Sequence, residues 1–173
     1  MPPASTMAHH FVMLARYNAW ANERLYAAAA GMGESIKKET GAFFGSMHGT
    51  LSHILVADRI WMHRFTGSGE TYDQLDAQPY PTLAALEEAR EKEDRRILDW
   101  TSTLDDAALT GTFTYARVSE PGAPITQRLA PALTHMFNHQ THHRGQAHTI
   151  LTTLGFEAPA MDMIFFSREA RGA

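Results

Sequence analysis

Four stretches of the chain repeat their apolar residues at helical spacing, and one alternates. Leu14, Tyr17, Ala21 and Leu25 recur at intervals of three and four and predict a helix over residues 7–30. The Ala27–Ala30 run favours it, and Gly31 and Gly33 stop it. Ser46 is a good N-cap for a second helix reaching about Phe65, closed by Gly67-Ser68-Gly69. After a polar loop containing Pro79 and Pro81, Thr82 caps a third helix running to about Trp100, with Glu87–Arg96 as its solvated face. Between residues 111 and 128, Phe113, Tyr115 and Arg117 alternate with smaller residues, which predicts a short β-hairpin turning at Glu120–Pro124. Pro131 fits the first turn of a fourth long helix that ends near Leu154, before Gly155. The tail, 156–173, carries Met161, Met163, Ile164, Phe165 and Phe166 and packs either across the bundle or against a partner chain. The pattern is that of one all-α domain over residues 1–173, with a hairpin inserted before the last long helix.

Composition narrows the function. With 173 residues, 44% apolar and 20% charged, the chain is long enough to bury a full core. Its formal net charge is −4 and it has no Lys/Arg cluster, which argues against nucleic acid as a partner. No apolar run approaches a membrane span, and no basic-then-apolar signal pattern opens the chain, so the expected compartment is the cytoplasm. There is no cysteine, so a metal must be held by His, Asp, Glu or solvent, and any thiol in the chemistry must come from a small molecule.

The histidines are local. Five of the ten lie between residues 135 and 148. On a helical wheel of about 100° per residue, His143 falls about 40° from His139, and Met136, Ile150 and Leu154 fall within about 60°. The pair thus sits on the core-facing stripe. Two imidazoles one turn apart can grip one ion, but open sites usually use three protein ligands. His53 shares its helix face with Val56, Ala57 and Ile60 and is the expected third. His135 and His142 fall on the flank, as alternative ligands or neighbours of the site. Neutral nitrogen ligands suit Zn, Ni, Fe and Cu, and leave the ion's charge intact for Lewis-acid chemistry. No HExxH is present, so no glutamate base sits on the metal helix.

Three motifs resemble those of the DinB/YfiT-like family. These are Tyr17-Asn-Ala-Trp-Ala-Asn22, then Ser46-Met-His-Gly-Thr-Leu-Ser-His53 continuing through Asp58, Trp61 and Arg64, and Asn138-His139-Gln-Thr-His-His143-Arg-Gly-Gln146. The resemblance implies a four-helix bundle in up-down-down-up order, often dimeric. It also implies a divalent metal, commonly Zn or Ni with Fe or Mn as further options, held by His53, His139 and His143 with water completing the shell. Relatives include transferases that use low-molecular-weight thiols such as bacillithiol or mycothiol, and a mycothiol-dependent isomerase. Many members have no assigned reaction.

The leading expectation is therefore a metal-dependent transferase that activates a small-molecule thiol against an electrophilic substrate. The rivals are a metal-dependent hydrolase and a non-enzymatic, metal-binding stress-response protein. His142 is the candidate general base for hydrolysis. Gln146, about 20° from His139 on the wheel, can reach substrate, a ligand's second nitrogen or a neighbouring helix. Arg64 is a candidate anchor for a carboxylate, although an ion pair is the favoured reading. Asp58 and Arg144 point away from the metal and are expected to form salt bridges between helices. Tyr17 and Trp20 either wall the site or are plain core.

Overall fold

The computed structural model describes residues 6–172, so the single domain expected over 1–173 extends slightly beyond them at both ends. The elements are α1 (Met7–Ala30), a 3-10 turn (Gly33–Lys37), α2 (Met47–Thr66), α3 (Leu83–Ser102), α4 (Asp106–Leu109), β1 (Thr112–Arg117), β2 (Glu120–Arg128), α5 (Leu129–Thr153) and α6 (Met163–Gly172). The caps are those the sequence offers. Thr6, Ser46 and Thr82 each accept a backbone N–H in the first turn of α1, α2 and α3. Gly67 ends α2 in the left-handed conformation, φ 68°, with its N–H on the His63 carbonyl.

The four long helices form a square in which α1 and α2 each pack against both α3 and α5. Side-chain pairs give the directions. Asn18 and Asn22 on α1 meet Asp94 on α3, and Ala8 meets Asp106 beyond its end, so α1 and α3 are antiparallel. Asp58 meets Arg90 and Thr66 meets Arg96, so α2 runs with α3. Phe11 stacks on Phe137 and Asn18 meets Arg144, so α5 runs with α1. The order is up-down-down-up, as the resemblance implies.

Two apolar clusters fill the bundle. One gathers Leu25, Met47, Leu51, Leu55, Leu86 and Leu151, and the other Phe11, Met62, Ile97, Leu133, Met136 and Phe137. Between them lies a polar layer of Asn18, Asn22, Asp58, Arg90, Asp94 and Arg144, all buried. Arg90 reaches Asp58 Oδ2 at 2.6 Å and Asp94 Oδ1 at 2.9 Å. The expected salt bridge of Asp58 is present. That of Arg144 is not found among the described residues: its guanidinium is held by the side-chain oxygens of Asn18 and Asn22 and by Thr141.

The hairpin stands where expected, but it does not turn at Glu120–Pro124. The chain reverses at Val118-Ser119, and Arg117 pairs with Glu120. Because Ala116 pairs with Pro124, residues 121–123 are extra on β2 and form a bulge. The Pro-Gly sequence thus marks a bulge in an edge strand, where a missing N–H is tolerated, rather than the reversal. The apolar tail folds as α6 across α1: Phe166 packs on Tyr17 and Trp20, and Glu169 pairs with Arg24 at 2.5 Å.

Candidate metal centre

Three histidines from two antiparallel helices converge on one point. His139 and His143 stand one turn apart on α5, and His53 faces them from α2. Their Nε2 atoms are 3.0 Å apart for His139–His143 and 3.2 Å for both pairs involving His53. His53 and His143 are buried and His139 half-buried. Among the described residues these three form the group whose ligand atoms could hold a metal ion, all within 4.8 Å of one another. Neither His135 nor His142 supplies a fourth nitrogen.

The local sequence explains how the rings are held. His53 Nδ1 donates to the Leu75 carbonyl at 2.8 Å, from the loop that follows α2. Phe44 stacks on one face of the His53 ring, 3.7 Å between ring centres and nearly parallel, and meets His143 edge-on at 5.5 Å. Phe44 gets there because its loop crosses α2 at Gly49. A Cβ at Gly49 would stand 2.1 Å from the Phe44 carbonyl oxygen, so any larger residue pushes the loop off the helix. His143 Nδ1 donates to Gln146 Oε1 at 2.7 Å, and Gln146 Nε2 donates to His142 Nε2 at 3.2 Å.

These bonds fix the tautomers. A carbonyl or amide oxygen can only accept, so the Nδ1 of His53 and of His143 carries the proton and, in a neutral ring, Nε2 is a bare lone pair. The His53–His143 contact then sets lone pair against lone pair at 3.2 Å. Burial resists the escape of protonating the rings. It pushes His53 down to about 4 and His139 to about 3, helped by repulsion from the neighbouring imidazoles, and it lowers His143 as well. A cation at the centre relieves this arrangement. Metal–imidazole bonds of about 2.0–2.1 Å put nitrogens this far apart at angles of roughly 95–105°, which leaves the side opposite the rings open. The donor set fits a divalent transition metal.

The other expected residues divide. Gln146 orients a ligand's second nitrogen, one of its three expected roles. His142 is exposed, its ring 4.8 Å from that of His143 and tied to Gln146. Arg64 forms no ion pair among the described residues, contrary to the favoured reading; its guanidinium lies between the rings of Trp61 and Tyr115. Tyr17 and Trp20 do not wall the site but pack under α6. Sequence reasoning missed Phe44, the Leu75 carbonyl and Asp76, whose charge acts on His53 from just outside the group. All three lie in loops without periodicity. The one available signal was Phe43-Phe44 flanked by Gly41 and Gly45, both at positive φ.

Comparison with known proteins agrees with this architecture. The model of the DinB family matches residues 6–172. Protein DinB of Bacillus subtilis (strain 168) is 24% identical over 164 residues, covering 86% of this chain and 88% of its own length. The crystal structure of a DinB-like protein from Bacillus cereus ATCC 10987 superposes with a TM-score of 0.57 at 22% identity, covering 82% of this chain and 90% of that one. At that identity the likeness speaks for the fold. No helix among the described residues is long and apolar enough to cross a membrane.

Proposed function

The chain belongs to the DinB family, and on that footing we propose that it is a divalent-metal-dependent transferase acting on a low-molecular-weight thiol. His53, His139 and His143 hold the ion, with Zn or Ni the best match to three neutral imidazoles and Fe or Mn behind them. The observation that carries the reading is the convergence of three Nε2 atoms whose second nitrogens, in two of the rings, are pinned as donors. When bound, the ion supplies Lewis acidity that makes a thiol nucleophilic at neutral pH.

The chain's own groups do the rest. Leu75 and Gln146 hold two rings in the tautomer that presents Nε2, the role outer partners play at histidine sites. Phe44 covers one face of His53 and keeps water from that side. The ligand group contains no carboxylate among the described residues. Loss of a proton from a thiol or from water at such an ion would give a nucleophile in either case. The thiol reading is preferred because it matches the thiol-dependent transferases that the three motifs resemble. Three ligands rather than four favour chemistry over a purely structural ion. We further take the protein to be a single-domain, cytoplasmic homodimer acting on a small-molecule substrate.

The test supplies zinc- or nickel-loaded protein with glutathione or cysteine and the electrophile 1-chloro-2,4-dinitrobenzene, and follows the thioether by absorbance and mass. We expect thioether formation above the uncatalysed rate, lost in His143→Ala. A metal-loaded protein that forms no thioether but hydrolyses ester substrates would replace this reading with the hydrolytic one.

A further inference from the structure

Arg64 is a half-buried cation without an acid. Trp61 lies on the same helix one turn back, its ring centre 4.7 Å from the guanidinium carbon, and Tyr115 of β1 closes from the other side at 4.5 Å. Nη2 donates to the Ala116 carbonyl at 3.1 Å. No carboxylate of the described residues lies within ion-pair distance. The buried arginines Arg59 and Arg90, by contrast, face Glu93 and Asp58. Burial lowers the Arg64 pKa, and the nearby Tyr115 offsets this in part. The hairpin therefore fixes a guanidinium in place with one of its two Nη2 hydrogens used, which leaves Nε–H, both Nη1 hydrogens and the second Nη2 hydrogen without a partner among the described residues. Holding a charge half out of water with no counter-ion is costly, so its retention points to an anion that arrives from outside.

The position of this cation gives it a use. The Trp61 ring meets His135 at 5.2 Å, and His135 meets His139 at 5.9 Å. An aromatic shelf thus runs from Arg64 to a ring whose Nε2 belongs to the three-histidine group. One guanidinium with donors to spare matches one carboxylate in the bidentate manner; a phosphate dianion would keep a charge uncompensated.

We propose that Arg64 anchors the carboxylate of the small-molecule ligand, whose stem lies across Trp61 and His135 and whose reacting end reaches His53, His139 and His143. The anchoring role rests on the reading of the histidine group as the reacting centre. It deepens that reading by naming the ligand class: an elongated monocarboxylate, its acid at the end remote from the reacting atom.

Isothermal titration of the zinc-loaded protein with 3-mercaptopropionate, 6-mercaptohexanoate, 11-mercaptoundecanoate and their methyl esters tests it. At a chain length that spans the shelf, the acid should bind at least tenfold more tightly than its ester. The shortest pair should bind alike. Arg64→Gln should bring the long acid down to its ester while ester affinity, zinc content and melting temperature stay unchanged, and Arg64→Lys should keep part of the preference. Acid and ester binding alike at every length, or a preference that survives in Arg64→Gln, would overturn the proposal. Repeating the titration without zinc separates the two readings. An Arg64-dependent preference that persists, with no zinc dependence in either acid or ester, sinks the thiol reading and leaves the anchor standing.

Discussion

The bundle buries two polar clusters, and they are built on opposite principles. The layer of Asp58, Arg90, Asp94 and Arg144 sets two cations against two anions, with Asn18 and Asn22 bridging them. The cluster of His53, His139 and His143 sets like against like: neutral rings, with the lone pairs of His53 and His143 turned inward. The first is charge-complementary as it stands and ties α1, α2, α3 and α5 together. The second completes itself only with a cation. Buried polar groups that satisfy one another belong to the fold, and those that share one unmet need point to a ligand.

The sharpest way to break the comparison is to remove a charge from the first cluster. Asp58→Ala leaves Arg90 with one carboxylate and should cost about 3–5 kcal/mol of stability, the usual penalty for uncovering a buried charge. Urea unfolding of the zinc-free protein measures it, and the histidine group should still take up metal in the surviving folded fraction. A loss under 1 kcal/mol would show that the layer does not lock the bundle.

A smaller effect is expected at the second cluster's support. Gln146→Leu removes the acceptor for His143 Nδ1 and should weaken metal binding about 10- to 100-fold with little change in metal-free stability. Competition with a chromogenic chelator gives the affinity. Unchanged affinity would make Gln146 a bystander.

Acid separates the clusters most gently. The three histidines have folded pKa values below their unfolded one, so the stability they contribute is present above pH 6.5 and is lost as pH falls toward about 4 and then 3. Asp58 acts in the opposite sense: burial pushes its carboxyl up to about 6, so acidification below pH 6 relieves it. The melting temperature of the metal-free protein should fall between pH 7 and 5. A triple His→Gln variant should flatten that fall, and Asp58→Asn should steepen it. A flat profile in the wild type would contradict the burial argument for the rings.

The legible parts were those that a helix makes periodic. His139 and His143 could be placed on the core stripe because one turn separates them, and His53 because its neighbours at helical spacing are apolar. The bundle and its caps followed from Ser46, Thr82 and Gly67 in the same way. What stayed hidden was held by loops or by partners distant in sequence. Phe44 reaches His53 along a loop path that Gly49 permits but does not announce, and the Leu75 carbonyl comes from the separate loop after α2. Arg144 met asparagine oxygens rather than a carboxylate, because Asn18 and Asn22 lie on the facing side of α1 and Asp94 is already shared with Arg90. The hairpin's turn was misplaced because Pro121-Gly122 reads equally as a reversal or as a bulge, and only the pairing of Arg117 with Glu120 decides between them.

The central claim is that the three histidines form a metal site. Its most direct test is the metal content of untagged protein purified without chelating resin, measured by plasma mass spectrometry for wild type, His53→Ala, His139→Ala and His143→Ala. The expected result is about one transition-metal ion per chain in wild type, as isolated or after exposure to Zn or Ni, and strongly reduced content in each variant that remains folded. Wild type that carries no metal and takes none up when offered Zn, Ni, Fe or Mn would contradict it, and would make the cluster a buried set of histidines with no ion to share.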